Sequence, residues 1–305
     1  MLEILGKTNF DFMGKRRFAF LFSGIMVVLG IVAVVQIARG SANLGIDFAG
    51  GTAVQLKFEQ AIRIDEARKV LEANGLGNAE LQEFGQDNKL LIRLKASTTI
   101  EEKVAERVVA VFTKEFPSNH FVVDSSTEIG PTIGHKLQED ALIAILISFA
   151  GIILYVAGRF EFRFGIAAAL ATFHDVLAVL GAFYILDKEI TLLVVTALLT
   201  LAGYSMTDTV VVFDRIRENL RMRRRESEET IINNAVNQVL SRTIVTSLTV
   251  VLVLIPLTLA GGEVLHDFSL ALLWGVIFGT YSSIFVASPL LLLWPGASGR
   301  LLKRS

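Results

Sequence analysis

The sequence predicts a polytopic α-helical membrane protein: six transmembrane helices with an inserted α+β, ferredoxin-like extracytoplasmic domain. Three observations lead there. Hydrophobic residues fill 52% of 305 positions against 19% charged, and the mean hydropathy of +0.56 exceeds that of ordinary soluble chains. Six separate stretches are apolar for long enough to cross a hydrocarbon core of about 30 Å, which takes roughly 20 helical residues. Between the first and second stretch lie about 95 residues of mixed, patterned sequence, enough for a core of their own.

The spans fall at 18–38, 141–158, 164–186, 190–213, 243–261 and 268–294, each too long and too apolar for a soluble strand. The first follows Lys15, Arg16 and Arg17 and closes at Arg39 and Gly40 with no small-residue cleavage site. It therefore reads as an uncleaved span and not a signal peptide. Basic residues set the orientation. Lys7, Lys15 to Arg17, Arg159, Arg163, Arg215, Arg217, Arg221, Arg223 to Arg225, Arg300, Lys303 and Arg304 gather on one side, whereas the short opposite loops offer only Lys188. Both termini are expected in the cytoplasm. The chain then divides into 1–40 (cytoplasmic N-terminus and first span), 41–138 (extracytoplasmic domain), 139–296 (the other five spans) and 297–305 (cytoplasmic tail).

Within 41–138, Thr52 to Phe58 alternates like a strand, and Ile64, Ala67, Val70 and Leu71 make a helical stripe ended by Gly75. Strands follow near 78–84 and 88–95, joined by a turn at Gln86, Asp87 and Asn88. A helix over 100–115 places Ile100, Val104, Val108, Val111 and Phe112 on one face until Pro117 stops it, and Phe121 to Ser125 reads as the last strand. The order β-α-β-β-α-β is the split βαβ arrangement. With no cluster of acids, histidines or serines to line a cleft, an interaction or force-bearing role is expected for it. After the fourth span, Asp214 to Arg225 is a charged run that solvation and attraction to the membrane surface explain. Ser227 then caps an amphipathic helix near 227–241, with Glu228 and Glu229 in its first turn and Ile231, Ile232, Ala235, Val236, Val239 and Leu240 on one face. It lies at the lipid surface or docks on a partner.

Ionisable groups inside spans cost about 2.5 kcal/mol or more, so each needs a partner, water or a function. His174 and Asp175 lie well inside the third span. Asp208 lies in the fourth, six residues or roughly 9 Å before the charged boundary at Asp214. Arg242 opens the fifth at a comparable depth, so Asp208 and Arg242 could meet as a buried ion pair that protonation releases. The plainer readings stay open: a static interhelical bond for Asp208, local satisfaction of Asp175 by His174, and snorkelling for Arg242. Tyr204, Ser205, Thr207 and Thr209 surround Asp208 with hydroxyls, which suits a wet cavity or a bonding network. Gly275 and Gly279 form a G-x-x-x-G, followed by Ser283 and Ala287, which supports close helix packing. Pro256 and Pro289 are expected to kink their spans.

Other chemistries are excluded or unsupported. There is no cysteine, so disulfides and thiolate metal sites are ruled out. His120, His135, His174 and His266 lack ligand spacing, no phosphate-binding lysine motif is present, and no metal or cofactor is expected. A net charge of −1, with basic residues flanking apolar runs, gives no nucleic-acid face. No enzyme template fits.

Several motifs together resemble the SecF family of protein-export membrane proteins. They are Gly45-Ile46-Asp47-Phe48-Ala49-Gly50-Gly51-Thr52 after the first span, His174-Asp175, and the stretch from Gly203-Tyr204-Ser205 through Asp208-Thr209 to Asn219. Arg242-Thr243, Gly261-Gly262 and Phe268-Ser269-Leu270 complete the match. The resemblance implies an auxiliary subunit of the Sec pathway in the bacterial inner membrane, similar to half of a resistance-nodulation-division transporter and paired with a SecD-like subunit. It implies work beside the SecYEG channel, with YajC and YidC as further candidates, on unfolded exported polypeptides, driven by a proton or sodium motive force. It assigns ion coupling to Asp208 and Arg242. Thr207 stands where the family usually has Asn, which keeps a hydroxyl for the carboxylate but loses the amide's second group. The competing expectations are an ion-coupled small-molecule exporter of the same superfamily and a non-transporting assembly subunit.

Overall fold

The computed structural model describes residues 8–84, 88–95, 103–222 and 226–293. Lys7, Gln86, Asp87, Ile100, Arg223 to Arg225 and the tail 297–305, on which part of the sequence reading rests, lie outside them. The chain forms two compact units. One is Met1–Asn43, Ala144–Glu189 and Leu193–Ser305; the other is Leu44–Ile143 with Ile190–Leu192.

The first unit is helical. Helix α1 spans Arg16–Ala38, α5 Pro131–Arg159, α6 Phe162–Ile185, α7 Leu192–Met222, α8 Glu228–Ala260 and α9 Gly262–Ser282. Six helices among the described residues are long and apolar enough to cross a membrane, the last running to Leu293. The third and sixth of these are interior (67% and 61% buried), whereas the second and fifth (11% and 17%) turn most of their apolar surface outward, as lipid-facing helices do. Helices α1 and α6 cross closely at Gly30 and Gly181: a Cβ on Gly30 would lie 2.2 Å from the Leu177 carbonyl oxygen.

Helix α8 begins at Ser227, whose hydroxyl accepts from the Thr230 N–H at 3.2 Å, and runs unbroken through Pro256, where the sequence suggested a kink. Its first half buries Ile231, Ile232, Ala235, Val236 and Leu240 against Phe213, Ile216, Phe12 and Met13, so this amphipathic face is packed inside the chain. Pro289 does mark an irregularity. A five-residue π-helical stretch, Ser283–Ala287, precedes the short α10, Ser288–Leu290.

The second unit holds α2 (Ile46–Ala49), β1 (Gly51–Phe58), α3 (Ile64–Ala73), β2 (Glu80–Phe84), β3 (Lys89–Lys95), α4 (Val104–Glu115) and β4 (Phe121–Ile129). The sheet order is β2-β3-β1-β4, with every described pairing antiparallel. That is the topology a split βαβ demands. Period-two alternation turns Val54, Leu56 and Phe58 to one face, where Ala67 and Leu71 of α3 and Val108 and Phe112 of α4 close the core. The last strand extends to Ile129, four residues past the sequence expectation, and α4 starts at Val104.

Candidate functional site

The small-residue stripe of α9 sets the geometry. A Cβ on Gly275 would meet Leu201 Cδ1 at 2.6 Å, and one on Gly279 would meet Ser205 Cβ at 3.1 Å. The G-x-x-x-G thus seats α9 on α7 and carries Ser205 into the interior. There Ser205 donates to Asp175 Oδ2, as does Ser282 of α9 at 2.8 Å, while His174 Nδ1 lies 2.9 Å from Oδ1. Asp175 is 0% exposed. One carboxyl therefore ties α6, α7 and α9 together, with both oxygens engaged. His174 is buried too. Its Nε2 has no hydrogen-bond partner among the described residues, and its ring lies 6.3 Å from that of Tyr281, whose hydroxyl donates to the Ala19 carbonyl at 2.9 Å.

Asp208 is held differently. It is half-buried on α7, and Ser283 donates to its Oδ2 at 2.6 Å. The buried ion pair with Arg242 does not form. Arg242 is exposed, and no basic nitrogen of the described residues lies within 4.0 Å of Asp208. The reason is azimuth. Successive helical residues point about 100° apart, so Thr243 faces inward where Arg242 cannot. Thr243 is buried near the Asp208 carboxyl, but its hydroxyl makes no hydrogen bond of ordinary geometry. Arg242 stays within electrostatic reach of Asp208.

The remaining hydroxyls also disperse. Thr207 is exposed and donates to the Gly203 carbonyl of its own helix at 3.1 Å, so it does not serve the carboxylate. It lines a groove of about 530 Å³ with Ser148, Tyr155 and Gly203. Thr209 is buried with its hydroxyl unpartnered.

The glycine motif in the second unit is a joint. Gly50 and Gly51 take φ of 71° and 140°, values that L side chains rarely adopt. The turn they make packs Gly50 against Pro131, and a Cβ on Gly134 would lie 2.8 Å from the Phe48 carbonyl oxygen. That carbonyl accepts from Gln138 Nε2 at 2.8 Å. Gly45 N–H donates to the Ile190 carbonyl at 3.0 Å, and Asp47 Oδ2 accepts from Leu192 N–H at 2.9 Å. Phe48 is buried. Gly45, Asp47, Phe48, Gly50 and Gly51 thus fasten the sheet domain to the start of α5 and to residues 190–192 within that unit.

No group of three or more His, Cys, Asp or Glu among the described residues could hold a metal. Sequence reasoning missed Ser282 as a site residue and read Ser283 only as packing. Their signal was a pair of hydroxyls ahead of Pro289, on the same helix as the glycine stripe.

Fold and site together define a multi-pass membrane protein with two carboxyls set among its helices. Residues 108–296 match the family described as protein export membrane protein SecD/SecF, C-terminal, and residues 43–62 match the SecD/SecF GG motif. The protein translocase subunit SecF of Thermodesulfovibrio yellowstonii is 52% identical over 295 residues, covering 96% of this chain and 97% of that one. The SecF of Calditerrivibrio nitroreducens is 40% identical, with 96% of each chain covered. A crystal structure of SecDF from Thermus thermophilus, a translocon-associated membrane protein, superposes with a TM-score of 0.81 at 35% identity over 96% of this chain. The chain spans 39% of that longer one. A SecDF structure in the super-membrane-facing form gives 0.69 at 34% identity, over 99% of this chain and 41% of the other. The chain belongs to the SecF branch of the SecD/SecF family.

Proposed function

We propose that this chain is the SecF subunit of a bacterial inner-membrane export complex. With a SecD-like subunit it uses a proton or sodium motive force to help draw unfolded polypeptides out of a SecYEG channel, and both its termini are cytoplasmic. The match to 39% of a SecDF chain leaves the rest of that assembly for the SecD-like partner, and the outward apolar faces of α5 and α8 suit lipid and partner helices.

One observation carries the coupling role. Asp208 is a half-buried carboxyl within a membrane helix, held by a single hydroxyl from Ser283, with Arg242 near enough to feel its charge yet unpaired. Such a group can exchange a cation and change its contacts when it does. A charge crossing the full field carries about 2.3 kcal/mol per 100 mV, comparable with the hydrogen bonds that would be remade.

The test is export stimulation in vesicles containing the assembled complex, with proton and sodium gradients imposed separately. Wild type should respond to one of the two gradients. Asp208→Asn should lose the response while still inserting and assembling. Full stimulation by that variant would refute the coupling role.

A further inference from the structure

We infer that Ser283 transmits the charge state of Asp208 to the helix that follows it, and that the π-helical stretch Ser283–Ala287 is the element that yields; this rests on the reading of Asp208 as the coupling carboxyl. The two carboxyls grip adjacent residues of one helix, Asp175 through Ser282 and Asp208 through Ser283. Adjacent helical residues diverge by about 100°, so the end of α9 stands between an acid on α6 and an acid on α7.

The backbone just beyond is loosened by its sequence. Pro289 has no N–H to give, and its ring crowds the carbonyl four residues earlier, that of Phe285. The Ser283 carbonyl takes a side-chain hydroxyl, Ser288 Oγ at 2.7 Å. A π-helical turn inside a long helix is costly to keep, and such turns are found mostly where function requires them.

The two serines differ in what holds their acids. Ser283 Oγ has two acceptors in reach, Asp208 Oδ2 at 2.6 Å and the Thr280 carbonyl at 3.0 Å. An ionised carboxylate is the stronger acceptor. Once neutralised it loses that advantage, and the hydroxyl has its own helix to return to, so α7 releases the turn without orphaning a polar group. Ser282 also has a second acceptor, the Gly279 carbonyl at 3.2 Å. Its acid, however, is closed to solvent and engaged by His174 and Ser205 as well. Asp175 is thus a positioning residue that pins the turn before the π-helical stretch, and Asp208 governs the turn at its start.

The chain has no cysteine, so a nitroxide pair can be introduced cleanly. Phe173 on α6 and Leu293 beyond the irregular stretch are both exposed, and their separation can be read by pulsed electron resonance on the full chain in lipid nanodiscs. Asp208→Asn should shift the mean distance by about 1.5 Å, one helical residue's rise, or more. Ser283→Ala should give the same shift, the double variant should add nothing, and Ser283→Thr should restore the parent distance. Ser282→Ala should leave it unmoved.

An unmoved distance in Ser283→Ala, or an equal shift in Ser282→Ala, overturns the inference. Export stimulation on the same variants separates the two claims. If Asp208→Asn is inactive with an unmoved distance, the relay through Ser283 fails and the coupling role stands. If Asp208→Asn shifts the distance yet exports normally, the coupling role fails.

Discussion

Two glycines of the same helix should respond oppositely to the same change. An added methyl at Gly30 falls 2.2 Å from the Leu177 carbonyl oxygen and 2.6 Å from its carbonyl carbon, whereas one at Gly24 meets nothing within 4 Å. Ordinary contact begins near 3.4 Å, so Gly30→Ala must part α1 from α6 by about 1.2 Å, the difference between 3.4 Å and 2.2 Å. Backbone cannot swing aside as a side chain does. Overpacking of this kind costs about 1–3 kcal/mol, and a gap of 0.5–1 Å also forfeits roughly a quarter to a half of the dispersion energy of the atoms that lose contact. Helix propensity favours alanine over glycine by about 1 kcal/mol at either position, so it cancels when the variants are compared. Gly24→Ala should therefore match or exceed the parent, and Gly30→Ala should fall about 1–3 kcal/mol below Gly24→Ala. Equilibrium unfolding in mixed detergent micelles reads that difference as a midpoint shift. Equal midpoints would show that the helices separate at no cost and would refute the close-crossing argument.

Phe112 is fully buried and meets Phe58 and Phe116 at 5.9 Å and 5.7 Å between ring centroids, so Phe112→Ala should cost the inserted domain about 3–5 kcal/mol. Limited proteolysis should then cut within 51–129 first, and unchanged resistance would count against the core described. Asn233 accepts from Phe12 and Met13 N–H at 2.8 Å and 3.2 Å and donates to the Phe10 carbonyl at 2.9 Å. Asn233→Ala should cost about 1–3 kcal/mol and speed amide exchange over residues 10–14, and unaltered exchange there would mean the segment is held by its buried Phe12 and Met13 alone.

The spans and the sheet were legible because both depend on periodicity and length, which a one-dimensional string preserves. Val54, Leu56 and Phe58 alternate in the sequence and line one face in the fold. Legibility failed where rotation about a helix axis decides. Depth can be counted from a span boundary, and by depth Arg242 matched Asp208. One residue of rotation gave the inward position to Thr243 instead. Asn233 and Asn237 failed differently. Their i, i+4 spacing reads as the polar face of an amphipathic helix, whereas both side chains bond the segment before the first span. A polar stripe and a docking strip look alike until the partner segment is placed.

Asp175 and Asp208 carry the same penalty by composition, since each is an acid in an apolar span. The number and kind of donors separates them. Asp175 has His174, Ser205 and Ser282 around it and no exposure. To change its charge would require several groups on three helices to find new partners together. Asp208 has one hydroxyl with an alternative acceptor in its own helix, and part of its surface is open. A switch needs a state that can be left cheaply. The fold therefore divides the work between its two acids: one is saturated and fixes the helices, and the other is under-bonded and free to respond.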